Sequence, residues 1–310
     1  MRLLLTGASG FIGRNLLLAI PKGWKTVAVY HRSKDFLPFL RRHALRQVHP
    51  ISCDLSREDS LRRHRILTSG RFDACLHLAA NGDPAFSASH PDQDFRMTVE
   101  TVLNVLSQVK VKRFLYVSSG AVYEGRRGLV SPASPLNPQL PYAVSHLTAE
   151  RYVKSFCASG ENPKEYLIIR FFGAYGPYEP SRKIYTRLVR AFHREKRRDF
   201  TIRGDGKNLI DAMYITDAVR ALLKTLCSSL KNATFDLCSG DPLSIQALVK
   251  EAASVFGVAP VKIRKVGNTV EPIYFRASAR FQKNKLRFNP RVSLEEGLRT
   301  FASFSKKESS

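Results

Sequence analysis

The stretch Arg2-Leu3-Leu4-Leu5-Thr6-Gly7-Ala8-Ser9-Gly10-Phe11-Ile12-Gly13 constrains this chain more than any other. A short apolar run stops at Thr6, three glycines follow at three-residue spacing, and an apolar helical pattern opens at Phe11. The pattern reads as strand, tight turn and helix. Gly7 permits the turn, Gly10 lets backbone approach a ligand, and Gly13 lets the helix lie close on the strand. The amides freed at the helix start then face a pyrophosphate, with Ser9, Phe11 and Ile12 completing the cofactor-contacting set. Glycine-rich turns are common, but one set between strand and helix at the head of a βαβ pattern marks a dinucleotide site.

The alternation continues. Residues 25–30, 47–53, 74–78, 113–117 and 166–170 read as strands, with helical patterns at 94–109 and 142–159. In the first of these helices Val99, Val102, Leu103 and Leu106 share one face. Strands and helices alternating at this pace predict a doubly wound parallel sheet, a Rossmann-type α/β fold. Asp54-Leu55 after the third strand and Leu78-Ala79-Ala80 at the end of the fourth are expected beside the cofactor. Beyond residue 176 the alternation loosens. Helices are expected at 187–195, 216–226, 244–256 and 294–304, and strands at 200–202, 233–237 and 261–266. Residues 1–176 are thus read as the dinucleotide-binding domain, with later returns to its sheet. Residues 177–304 form a smaller C-terminal lobe interleaved with it, and 305–310 a polar, frayed tail.

Composition narrows the class. Of 310 residues 44% are hydrophobic and 25% charged, as in a globular protein. No apolar run reaches eighteen residues, so no membrane span is expected. The five cysteines form no CxxC pair, which points to free thiols in a reducing cytoplasm and to no metal site. The net charge of +24 admits solvated helix faces, attraction of anionic small molecules, or nucleic acid. The last rests on charge alone, since no nucleic-acid motif accompanies it.

The end of the second strand bears on cofactor choice. NAD-preferring folds place an acidic residue there for the ribose hydroxyls. This chain has His31-Arg32-Ser33, with no carboxylate at that position. Arg32 suits a 2′-phosphate, which favours NADP over NAD.

Several motifs then stand in order: the glycine turn, Leu78-Ala79-Ala80, Val117-Ser118-Ser119 and Pro141-Tyr142-Ala143-Val144-Ser145. Arg170-Phe171-Phe172, Gly204-Asp205-Gly206 and Val292-Ser293-Leu294-Glu295-Glu296-Gly297-Leu298 extend the pattern over nearly the whole chain. Together they resemble the extended short-chain dehydrogenase/reductase family, in particular its NAD(P)-dependent nucleotide-sugar epimerase/dehydratase branch. The resemblance implies that Tyr142 is the general acid/base and that Ser119, 23 residues earlier, hydrogen-bonds the same substrate oxygen. It implies a substrate-binding C-terminal lobe, substrate contacts at Ser119, Gly120, Ala121, Phe172 and Gly173, and a homodimer through the long helices.

Departures from that pattern are as informative. The family has lysine four residues after the tyrosine, where this chain has His146. An imidazole with an unperturbed pKa near 6.5 is mostly uncharged at neutral pH. It can hydrogen-bond a ribose yet does little to stabilise a phenolate, so reduction is favoured over alcohol oxidation. A weak or inactive dinucleotide-binding protein is the alternative. Gly120 and Ala121 replace the Asp-Glu pair that sugar 4,6-dehydratases use for elimination. Gly173 stands where relatives have asparagine, and Ile210 where they have a diphosphate-gripping arginine. Arg182, Lys183 and Arg276 lie in segments that face substrate in relatives and are the candidates to replace it. The expected substrate is a small molecule, a nucleotide sugar or another anionic sugar derivative.

Overall fold

Leu3, Leu4 and Leu5 are all buried, Leu3 and Leu5 in one core and Leu4 in another. Successive strand residues point to opposite faces, so a run apolar at every position belongs to a sheet covered on both sides. The computed structural model describes residues 1–160, 162–269 and 273–307. Its central sheet has seven strands: β1 (Arg2–Thr6), β2 (Lys25–Tyr30), β3 (Val48–Ser52), β4 (Arg71–His77), β5 (Lys110–Ser119), β6 (Glu165–Phe171) and β7 (Ala233–Leu237). They lie in the order β7-β6-β5-β4-β1-β2-β3, every neighbouring pair parallel. This is the doubly wound Rossmann-type sheet.

One face is covered by helices Phe11–Ala19 and Ile215–Leu226, with Leu16, Leu17, Ala218 and Leu222 packed on Leu5, Leu115 and Ile169. The other is covered by helices Thr101–Gln108 and Pro141–Ala158, where Val102, Leu106, Ala149 and Val153 meet Phe114, Tyr116 and Ile168. Strand order reverses between β1 and β4, which opens a crevice at their carboxyl ends. Thr6 spans that crevice, its Oγ1 accepting from the amides of Leu78 (3.1 Å) and Ala79 (3.2 Å).

The glycine turn is packed against backbone. Gly7 adopts φ +64°, and a Cβ there would lie 2.8 Å from the Ala79 nitrogen. At Gly13 a Cβ would come within 2.5 Å of the Gly7 carbonyl oxygen and 2.6 Å of that of Ala8. The helix starts without a side-chain cap, leaving its first amides to other acceptors.

Outside the central sheet the chain makes short pairings. Asp199–Arg203 lies parallel to Lys262–Val266, Arg127–Val130 to Tyr274–Ala277, and Ala174–Tyr175 to Met213–Tyr214. None of the pairings is local in sequence, which is why several of these strands escape a reading by pattern. Among the described residues no helix is long and apolar enough to cross a membrane.

Three expected elements change. The 94–109 helix starts at Pro91 and passes through a π turn, Arg96–Glu100, before Thr101–Gln108. The wider turn shifts the helix phase. Val105 joins Val102 and Leu106 on the buried face, and Leu103 is only half-buried. The 187–195 helix begins at Ile184 and likewise ends in a π turn, Val189–Arg194. The last helix runs from Leu294 to Lys307, so residues 305–307 belong to it and not to a frayed tail. Arg194 donates to both the carbonyl and the hydroxyl of Ser305, which holds the helix end. Residues 308–310 lie outside the described residues.

Replacing Gly13 by Ala sets a methyl against two fixed carbonyls. We expect Gly13→Ala to lose about 1–3 kcal/mol of stability, read by urea denaturation, and to abolish NADPH and NADH binding, read by fluorescence titration.

Candidate active site

Helix Pro141–Ala158 carries Tyr142, His146 and Glu150 at four-residue spacing, one stripe facing the sheet. Glu124 sets its entry, Oε2 accepting from the amides of Gln139 and Leu140, each at 2.7 Å. Glu150 and Arg170 anchor it. Both are buried, with Arg170 Nη2 2.8 Å from Glu150 Oε2 and Nε 3.0 Å from Oε1. Ser118 Oγ donates to Glu150 Oε1 at 2.7 Å, Arg170 Nη1 donates to the Tyr123 hydroxyl at 2.9 Å, and that hydroxyl donates to Asp236 at 2.7 Å. Burial alone would favour a neutral guanidine, but the hydrogen bonds and charge of Glu150 reverse this and push Arg170 up. Burial also raises Asp236 to about 7, against the pull of Tyr123 and Arg170.

This network locks β5, β6, β7 and the helix together, so that Ser119, Tyr142 and His146 line one cleft of about 500 Å³. Gly7, Gly10, Phe11, Ile12 and Gly13 line the same cleft, as do Leu78 and Ala80. So do Gly120, Ala121, Phe172, Gly173, Arg182 and Ile210. Ser119 Oγ accepts from the Ala121 amide (3.1 Å), capping the turn Gly120–Tyr123.

His146 is buried under Tyr142, their rings edge to face at 4.7 Å. Its Nδ1 lies 2.7 Å from the buried hydroxyl of Tyr116. Nε2 makes no hydrogen bond of good geometry among the described residues, but the Asn81 carbonyl is within reach of the ring and, with Asp94, favours a charge there. Burial wins, lowering the imidazole to about 4 against the opposing pull of Asp94, Glu150 and the Asn81 carbonyl. Position 146 is therefore neutral at physiological pH by a wider margin than an exposed histidine would be.

Other expected site residues lie outside the cleft lining. Ser9 gives its carbonyl to Arg14 Nε (2.9 Å). Ala79 is held by Thr6 and Thr101. Asp54 accepts from the amide and hydroxyl of Ser56 and sits 3.8 Å from His31 Nε2, and Leu55 is buried behind it. Arg32 is exposed at the tip of the loop after β2, at φ 55°. That loop does carry a carboxylate: Asp35 pairs with Arg14 (2.8 Å) and accepts from Ser33 (2.7 Å), which lowers its pKa. Arg276 is not brought to the cleft. It alternates on its strand with Phe275, which lines the cleft, so the arginine projects from the opposite face into solvent.

Four neighbours of the site were not foreseen. Glu150 sits at i+8 from Tyr142, and a carboxylate on a buried helical stripe is itself the signal of an ion pair. Tyr116 reads as an ordinary strand aromatic, and its pairing across 30 residues has no local trace. Asp94, fully buried, accepts from Asn81 Nδ2 at 2.7 Å while its Oδ2 has no hydrogen-bond partner. Glu179 lines the cleft with its carboxyl raised to about 7 by burial, against bonds from the Thr186 amide and hydroxyl.

Comparison with known proteins agrees with this architecture. The chain is 27% identical over 310 residues to an uncharacterized UDP-glucose epimerase, YtcB, of Bacillus subtilis (strain 168), covering 96% of each chain. It is 27% identical to a GDP-6-deoxy-D-mannose reductase of Pseudomonas aeruginosa, covering 97% of this chain and 96% of the other. The structure of MoeE5 in complex with UDP-glucose and NAD superimposes with a TM-score of 0.83 at 27% identity over the full length of both. The model of the NAD dependent epimerase/dehydratase family matches residues 3–238. The chain belongs to that family, enzymes of the extended short-chain dehydrogenase/reductase type.

Proposed function

We propose that this protein is an NAD(P)-dependent reductase or epimerase acting on a sugar-type carbonyl or hydroxyl, nucleotide-linked, with reduction the favoured direction. The observation that carries it is the convergence of the glycine turn, Ser119, Tyr142 and His146 on one cleft. One feature fits a dinucleotide: Gly7, Gly10 and Gly13 line the cleft at the start of a helix that has no side-chain cap, which leaves its first amides to an anionic acceptor. MoeE5 holds NAD and UDP-glucose together on the same fold, and two relatives are named for UDP-glucose and a GDP-sugar.

The bound nicotinamide supplies or takes the hydride. The chain supplies the proton and its orientation. Tyr142, backed by the His146 ring, donates its phenol proton to the substrate oxygen, and Ser119 hydrogen-bonds that oxygen. With a neutral imidazole beneath it, the phenol has no cation there to hold its conjugate base, which suits donation better than abstraction. Elimination of the dehydratase type is not part of the reading, because Gly120 and Ala121 bring no carboxyl to the cleft.

NADP is the favoured cofactor. Arg32 and Lys34 stand on the loop after β2, and the loop's carboxylate, Asp35, is already engaged by Arg14. Titration should give tighter NADPH than NADH binding, and Arg32→Ser should narrow that gap about tenfold. Tighter NADH binding overturns the preference.

The neutrality of His146 also favours a second reading, a dinucleotide-binding protein with little or no turnover. Scanning nucleotide sugars for NADPH oxidation and isomer exchange separates the two. On a substrate that turns over, Tyr142→Phe should lower kcat by about 10²–10⁴. His146→Lys should raise alcohol oxidation near neutral pH by about tenfold or more. NADPH binding with no turnover across the panel selects the second reading.

The histidine makes a separate thermodynamic prediction. Its folded pKa lies below the unfolded value of 6.5, so its contribution to stability is fully present above pH 6.5 and lost as pH falls toward 4. The loss is at most about 3 kcal/mol. Urea denaturation from pH 7 to 4 should show a shallower decline in His146→Gln than in the natural chain.

A further inference from the structure

The substrate half of the cleft is apolar where an anion would be expected to bind. Phe172, Ile210, Ile245, Ile273 and Phe275 line it. Among the described residues that line the cleft Glu179 is the one carboxyl, its Oε2 accepting from the Thr186 amide and hydroxyl, and Asn208 accepts from the Ile273 amide through Oδ1. A diphosphate placed against Ile210 would lose its water and gain no partner, at a cost no apolar contact offsets. Arg276 points away. Among the described residues that line the cleft, Arg182 and Lys183 alone carry a lysine or arginine charge.

Both are engaged across the mouth. Arg182 Nε lies 2.7 Å from Asp83 Oδ2, and Lys183 Nζ donates to the Gly82 carbonyl at 3.3 Å. Gly82 and Asp83 follow β4, on the dinucleotide side of the cleft. Arg182 and Lys183 precede helix Ile184–Leu188, on the other side. The two contacts therefore bridge the cleft entrance. Asp83 is held for this: its Oδ1 accepts from the Ala85 amide at 3.1 Å and the Phe86 amide at 3.5 Å, capping helix Pro84–Ser89, while Oδ2 faces the arginine.

The bridge is weak by its exposure. The Arg182 side chain is 50% exposed and that of Asp83 30%, and solvent-exposed ion pairs of this kind contribute about 0–1 kcal/mol. An anion with several oxygens offers the guanidinium two parallel charge-assisted hydrogen bonds in place of one. Exchange from Asp83 to such an anion is therefore downhill and needs no large rearrangement.

We propose that Arg182 and Lys183 form the diphosphate-binding pair of this cleft and that Asp83 is its competitor. An incoming nucleoside diphosphate group takes Arg182 from Asp83 and Lys183 from the Gly82 carbonyl, replacing the entrance bridge with its own charge. This rests on the reading of the cleft as a nucleotide-sugar site. It moves the anion-binding position from the wall, where Ile210 stands, to the mouth. The sugar is then left among Phe172, Ile210 and Phe275, with Tyr142 and Ser119 within the same cleft.

The test is calorimetric titration of the full chain with UDP and GDP. Arg182→Ala should weaken whichever diphosphate binds by about tenfold or more, and Lys183→Ala by less. Asp83→Asn keeps an N-cap side chain while removing the competing charge, so it should tighten binding by about three- to tenfold. A purely structural Asp83 would give no tightening. Unchanged affinity in Arg182→Ala, weaker affinity in Asp83→Asn, or no binding of either diphosphate by the natural chain overturns the proposal. NADPH titration of the same variants should be unmoved. If the natural chain bound neither NADPH nor NADH, the dinucleotide reading would fail while the diphosphate titration still reported on the mouth.

Discussion

The buried pair of Glu150 and Arg170 holds the Tyr142 side of the cleft in register. It joins helix Pro141–Ala158 to β6, reaches β5 through Ser118, and reaches β7 through Tyr123 and Asp236. Desolvating two charges is expensive, and the pair is tolerable because Glu150 accepts from Ser118 and from Arg170 Nε and Nη2 while Arg170 Nη1 donates to Tyr123. Removing one partner from such a pair typically costs about 3–5 kcal/mol, because the survivor is left charged and dry. The network ties Ser118 of β5 to the helix, and Ser118 and Ser119 both line the cleft.

A second constraint acts at the other end of the cleft, where backbone meets backbone without side chains between. The turn at Gly7 lies against Leu78 and Ala79, and Gly13 lies against the carbonyls of Gly7 and Ala8. Together the two constraints set the distance between the start of helix Phe11–Ala19 and Tyr142, which line the same cleft. The histidine at position 146 belongs to the first constraint. It is fixed by Tyr116 and covered by Tyr142, so the protein has exchanged a fixed cation for a neutral, hydrogen-bonded ring at the same place.

The consequence for function lies in where charge sits. The chain carries +24, yet among the described residues that line the cleft Arg182 and Lys183 alone are lysine or arginine. Surface charge of this magnitude draws anions toward the protein. Those two cations are engaged by Asp83 and the Gly82 carbonyl on the loop after β4.

Much of this was legible in the sequence. The glycine spacing, the unbroken apolar strands and the tyrosine and serine motifs are local patterns, and local patterns survive being read one residue at a time. The sheet they predicted is the sheet that forms, with β7 at residues 233–237. What local pattern could not carry was the partner of a side chain. Arg276 matched a substrate-facing segment, but whether it faces the cleft depends on strand alternation relative to Phe275. Leu103 is only half-buried while Val105 is buried, and the π turn Arg96–Glu100 before them has no trace in the periodicity. The sequence by itself determined the glycine turn between strand and helix and the imidazole at position 146, because those are statements about which atoms exist. Only the tertiary structure decided that His146 is deeply neutral and that Asp83 lies across from Arg182, because burial and pairing depend on which distant residues come within a few ångströms.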